Sequence, residues 1–153
     1  MVSLRIVGVA FALLSAPVLL HAQREKLPPD DLDFVEKQWP NALKSNTGIR
    51  YVVETPGKGP PLNSGDIVTV FYEGRFLNGK VFDGNRARNK PFSFRVNRGL
   101  VITGWDQILQ LMPVGAKWLV IIPPELAYGD QPQQAIEPGS TLIFDDGNVF
   151  FSC

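Results

Sequence analysis

The chain has 153 residues, 44% of them hydrophobic, with 15 basic and 15 acidic side chains. That length suits one domain with a sizeable core, and the charge balance supplies no field to draw nucleic acid. The one histidine, His21, lies in a segment read below as removed, and the one cysteine is the terminal Cys153. Ser-His-Asp, Cys-His and zinc chemistry therefore have no candidate bases or ligands in the remainder, and no metal or cofactor is expected.

The first element is a targeting segment. Arg5 precedes an uncharged apolar run from Ile6 to Leu20, and His21-Ala22-Gln23 ends it. A basic start, a short apolar core and a small residue at the exit describe a secretory signal peptide over 1–22, with cleavage after Ala22. The run is shorter than the ~20 residues a spanning helix needs. An exported product, periplasmic or secreted, follows from this. Residues 23–48 read as a linker carrying a short helix. Asp30 or Asp31 is placed to cap it, Leu32, Phe34, Val35 and Trp39 are its apolar positions, and Pro40 stops it.

Ile49 to Glu54 is a first strand, and Thr55 to Gly65 a Pro/Gly-rich loop in which Gly57-Lys58-Gly59 reads as a turn. From Asp66, Val68, Val70 and Tyr72 alternate onto one face of a strand, with Ile67, Thr69 and Phe71 on the other. Asn78-Gly79 is a two-residue hairpin turn, followed by Phe82-Asp83 in a strand end or bulge. Pro91 to Val96 places Phe92, Phe94 and Val96 on one face. Trp105, Ile108, Leu109 and Met112 recur at i, i+3, i+4 and i+7, the stripe of a short helix that Pro113 and Gly115 end. Lys117 to Ile122 is a strand stopped by Pro123-Pro124, and Thr141 to Phe144 opens the last one. Short strands around one helix predict an α+β fold, an antiparallel sheet packed on the helix. Basic residues recur from Arg75 to Arg98 without a helix or run to organise them, and read as solvated faces.

Aromatics crowd around turn residues in Tyr72-Glu73-Gly74, Asn78-Gly79-Lys80-Val81-Phe82-Asp83, Pro91-Phe92-Ser93-Phe94, Val101-Ile102-Thr103-Gly104-Trp105, Ile122-Pro123-Pro124, Leu126-Ala127-Tyr128-Gly129 and Thr141-Leu142-Ile143-Phe144. The density suggests an apolar cleft holding one carboxylate and one or two phenols. In order and spacing these pieces resemble the FKBP family of peptidyl-prolyl cis–trans isomerases, over roughly Gly65 to Phe144. The resemblance implies a curved antiparallel sheet wrapped around the short helix, a half-barrel, as a domain spanning 49–153. It implies a catalytic set of Asp83, Tyr128 and Trp105, with Trp105 as the floor and the Tyr128 hydroxyl offered to a substrate carbonyl. Tyr72, Phe82, Phe92, Val101 and Ile102 are the implied substrate-binding walls, the Ile102 N–H a second donor, and Ile136 and Phe144 the far wall. The implied partners are proline-containing polypeptide clients, and the family often binds macrolides such as tacrolimus.

Taken singly, Phe94 and Val70 read as plain core, and Asp83, followed by Gly84-Asn85, also suits a turn cap. The loop 131–138 is slightly shorter than the family's common form, and Ala135 gives it a shallower rim. Leu142 and Phe144 share a face, so strict alternation brings Asp146 to that buried face. Asp146-Gly147-Asn148 instead reads as a turn, or as a bulge that rephases the strand before Val149 and Phe150. Two functions fit: an exported isomerase that assists folding, and a non-catalytic module or chaperone that holds proline segments in the same cleft. A carboxylate hydrolase ranks below both, because no second acid pairs with Asp83 in the sequence.

Overall fold

The computed structural model describes residues 24–151, with side chains through Asp145. The expected signal peptide over 1–22 and Cys153 lie outside the described residues. Helix α1 spans Pro29–Gln38. Proline at the first position suits it, since that N–H has no helical partner anyway, and Asp30 and Asp31 sit in the first turn where the dipole favours acid. Neither aspartate caps the helix: Pro28 stands at the N-cap, and the Asp31 carboxylate instead accepts a hydrogen bond from the Thr141 hydroxyl at 2.6 Å.

Seven strands follow among the described residues: β1 (Leu43–Lys44), β2 (Arg50–Pro56), β3 (Ile67–Phe76), β4 (Val81–Gly84), β5 (Phe92–Arg95), β6 (Ala116–Ile122) and β7 (Leu142–Phe151). They pair antiparallel in the order β1-β2-β6-β7-β3, and the outer edge of β3 is shared by β5 and β4. Helix α2 (Thr103–Ile108) continues into a 3-10 turn over Leu109–Leu111. The fold is α+β, as the periodicities predict, and the antiparallel sheet curves around one short helix, as the resemblance implies. All four stripe residues, Trp105, Ile108, Leu109 and Met112, are buried against Val68, Val70, Val120 and Ile122.

The stretch 41–48, expected to be linker, is structured. Leu43 and Lys44 pair with Tyr51 and Arg50, and the Ser45 hydroxyl accepts the Ile49 N–H, closing a turn in which Gly48 has a φ of 93°. The helix packs on the outer face of the sheet, where Leu27 and Val35 meet Leu119, Ile121 and Ile143. This explains why β6 reads as a continuous apolar run from Trp118 to Ile122. Its residues alternate between a face under α1 and a face under α2, so both must be apolar.

The last strand continues past Asp146. Asp146 pairs with Tyr72 and Trp118, Gly147 with Phe71, and Val149 with Val70, so Asn148 is the extra residue of a bulge. The bulge expected at Gly147 is thus present, one step later in the chain, and it returns Val149 to the register of buried Val70.

Candidate active site

The cleft is built where α2 begins. Trp105 is 4% exposed at its base, with edge-on contacts to Tyr72 at 4.9 Å and Phe144 at 5.2 Å between ring centroids. The helix can lie this close to the sheet because residue 104 is glycine: a Cβ there would stand 2.6 Å from the Ile122 side chain. Gly74 does the same beneath the wall, since a Cβ would stand 2.6 Å from the ring of Phe82. Phe82 is itself the extra residue of a bulge in β4, where Gly74 pairs with Asp83 and Arg75 with Val81. That bulge turns the Phe82 ring onto Phe144, edge-on at 5.8 Å.

The cavity has a volume of about 210 Å³ and is lined by Tyr72, Phe82, Asp83, Phe92, Leu100, Val101, Ile102, Trp105, Tyr128 and Phe144. Every residue expected at the site is brought together here except Ile136. It is buried in the adjoining core, off the cleft wall. Leu100 is an addition, 63% exposed at the rim; its place beside Val101 was the only sequence signal for it.

The polar groups differ in their bonding. The Tyr72 hydroxyl donates to Asp83 Oδ2 at 2.6 Å, and the Gly84 N–H donates to Asp83 Oδ1 at 2.7 Å. Arg88 donates to the Gly84 carbonyl and lies 3.8 Å from Asp83. The Tyr128 hydroxyl and the Ile102 N–H have no hydrogen-bond partner among the described residues. Burial, then the hydrogen bond to Asp83 and its charge, push the Tyr72 phenol well above its ordinary value. Burial and the Asp83 charge raise Tyr128 in the same direction. Both phenols are therefore neutral donors at physiological pH.

Two supporting residues carried no sequence signal. Asp106, 7% exposed, accepts the Asn97 N–H at 2.7 Å and the Gly99 N–H at 2.9 Å. It thereby clamps the loop that presents Leu100, Val101 and Ile102; Asn97 and Gly99 both have positive φ there, 56° and 66°. Asn85, 5% exposed, bonds to the backbone of β3 beside Tyr72. The basic residues between Arg75 and Arg98 act partly as local ties: Arg86 holds Asp145 at 3.0 Å and Arg95 the Gly65 carbonyl at 2.9 Å.

The sequence model of the FKBP-type peptidyl-prolyl cis-trans isomerases matches residues 59–145. The chain belongs to that family. A probable FKBP-type peptidyl-prolyl cis-trans isomerase of Haemophilus influenzae is 45% identical over 102 residues, which are 66% of this chain and 42% of that protein. The outer membrane protein MIP of Legionella longbeachae is 37% identical over 124 residues, 80% of this chain and 52% of MIP. The crystal structure of AtFKBP13 is similar with a TM-score of 0.70 at 35% identity, covering 73% of this chain and 99% of that one. This chain thus spans about half, or less, of the curated relatives' length. The segment 24–58, with α1, β1 and β2, precedes the matched region.

Proposed function

We propose that this chain is a peptidyl-prolyl cis–trans isomerase acting on X–Pro bonds of exported proteins during their folding. The observation that carries this is the aromatic cleft with Trp105 at its base and, at its walls, two donors without a partner among the described residues, the Tyr128 hydroxyl and the Ile102 N–H. Rotation about an X–Pro bond has a barrier of ~18–20 kcal/mol because amide resonance must be broken. Resonance places charge on the carbonyl oxygen, and water stabilises that planar form. A proline seated on Trp105, between Tyr72, Phe82, Phe92, Val101 and Phe144, leaves water, so the planar form loses more than the twisted one.

Tyr128 and Ile102 serve best as donors to carbonyls flanking the rotating bond. A donor on the rotating carbonyl itself would favour the planar form. Asp83, held by Tyr72, sets the polar edge of the cleft. Leu100 extends the apolar rim, which favours peptides with an apolar residue before proline. Tacrolimus-like macrolides are proposed ligands of the same cleft.

Support for export comes from the apolar run Ile6–Leu20 behind Arg5, from Ala22 at its exit, and from MIP being named an outer membrane protein. No helix among the described residues is long and apolar enough to cross a membrane. N-terminal sequencing of the exported product should read Gln23 first.

The test of activity is cis–trans exchange in short X–Pro peptides, with and without tacrolimus, using the chain from Gln23 onward. Acceleration that tacrolimus suppresses is expected. A folded sample that binds such peptides and leaves their exchange at the background rate would make this a binding module.

A further inference from the structure

The outer edge of β3 has a gap. β5 pairs with Ile67 to Val70 and β4 with Glu73 to Arg75, so no strand covers Phe71 and Tyr72 on that side. A buried main chain left unpaired there would be costly, and Tyr72 is the residue whose phenol holds Asp83. Asn85 fills the gap. Its Oδ1 accepts the Tyr72 N–H at 2.9 Å, its own N–H donates to the Tyr72 carbonyl at 3.1 Å, and its Nδ2 donates to the Val70 carbonyl at 3.0 Å. One residue thus stands in for the missing strand, its side chain closing the Tyr72 N–H and the Val70 carbonyl and its main chain closing the Tyr72 carbonyl. Only an amide carries donor and acceptor together at this reach. Aspartate would set a carboxylate against the Val70 carbonyl, and alanine would leave two main-chain groups, the Tyr72 N–H and the Val70 carbonyl, to find other partners.

We propose that Asn85 is a positioning residue for the prolyl site, fixing the Tyr72 backbone so that its phenol holds Asp83 and its ring meets Trp105 edge-on. Asn85 itself does not line the cleft. The inference rests on the isomerase reading of that cleft, but its structural half stands independently of it.

Three measurements decide it. In the unaltered protein the Tyr72 amide should exchange with solvent as slowly as the amides of Val68 and Val70; exchange at the rate of an open loop would overturn the proposal. Tyr72 should also give a downfield phenolic proton signal, assigned by its absence in Tyr72→Phe. Asn85→Ala should abolish or broaden it, whereas Val96→Ala, a core truncation in the turn after β5, should keep it. A sharp, unshifted signal in folded Asn85→Ala would overturn the proposal. Finally, kcat/KM should fall about tenfold in Asn85→Ala, and by less than about twofold when the same change is made in Tyr72→Phe. Full additivity of the two changes would show that Asn85 does not act through Tyr72. If the unaltered protein shows no isomerase activity, the isomerase reading fails, and the exchange and proton measurements still decide the positioning role.

Discussion

Tyr128 and Asp83 share one cleft in different states of bonding, and their substitutions should separate accordingly. The Tyr128 hydroxyl makes no bond among the described residues, so Tyr128→Phe should remove only what it gives a bound client. A neutral hydrogen bond is worth about 1 kcal/mol, or roughly fivefold in kcat/KM, with stability within about 0.5 kcal/mol of the parent. Asp83 has a side chain that is 50% exposed, so Asp83→Ala should leave the fold intact while freeing the Tyr72 hydroxyl. A threefold to tenfold loss of rate is expected, about 0.7–1.4 kcal/mol, roughly the net worth of one ordinary hydrogen bond at a half-exposed site. Trp105→Ala should fail differently. The side chain is 4% exposed and meets three other aromatics, so about 3 kcal/mol of stability should go with the activity. Rates measured beside thermal melts distinguish the cases, and full activity in Asp83→Ala would reduce that residue to a turn cap.

Two elements make opposite demands on small changes. Alanine has a better helix propensity than glycine by about 1 kcal/mol, so Gly104→Ala looks stabilising on α2 alone. Its Cβ would stand 2.6 Å from the Ile122 side chain, and forcing the helix off the sheet costs about 1–3 kcal/mol. A net loss is expected, read as a lower denaturant midpoint, together with lower activity because Trp105 moves with the helix. A midpoint at or above the parent's would mean that the interface yields easily. On the other face, Val35→Ala should cost about 1–2 kcal/mol, since Val35 is 1% exposed between α1 and the sheet. Its activity at a stabilising temperature should match the parent's. No measurable loss would mean that α1 is dispensable to the domain.

At the scale of the molecule, pH should act on stability and not on activity. The only histidine is His21, so the chain from Gln23 onward has none, and rates should be nearly flat between about pH 6 and 8. A bell-shaped profile there would contradict catalysis by environment. Acid is another matter. Burial alone would raise Glu25, but hydrogen bonds from Lys44, the Leu27 N–H, Arg50 and the Lys26 N–H outweigh it and lower its pKa from 4.5 to about 2. Asp145 is likewise lowered, burial being outweighed by the hydrogen bond and charge of Arg86 and by the charge of Lys117. A depressed carboxyl stabilises the fold fully above its unfolded pKa, and that contribution disappears as pH falls through the folded value. Thermal stability should therefore decline between about pH 4.5 and pH 2. Glu25→Gln should flatten part of that decline; an unchanged slope would place the acid sensitivity elsewhere.

Strand alternation, the helical stripe of Trp105, Ile108, Leu109 and Met112, the Asn78-Gly79 turn and the order of the aromatic motifs were all legible in the sequence. Each is a local pattern: side chains two, three or four positions apart share a face whatever the rest of the chain does. The family resemblance carried by the order of the motifs implied almost the whole cleft wall. What only the tertiary structure decided involves groups distant in sequence. Asn85 completes the ladder of Tyr72 and Val70, 13 and 15 residues away, and Asp106 clamps Asn97 and Gly99, 9 and 7 away. An asparagine in a turn and an aspartate in a helix look ordinary until the ends of two strands and a loop are seen to leave main-chain groups unpaired beside them. The docking of α1 was hidden for the same reason: the outer apolar face of β6 and β7 exists only once those strands are paired. Ile136 shows the converse limit, since its loop has no periodicity to fix a face, and packing alone sent it to the core.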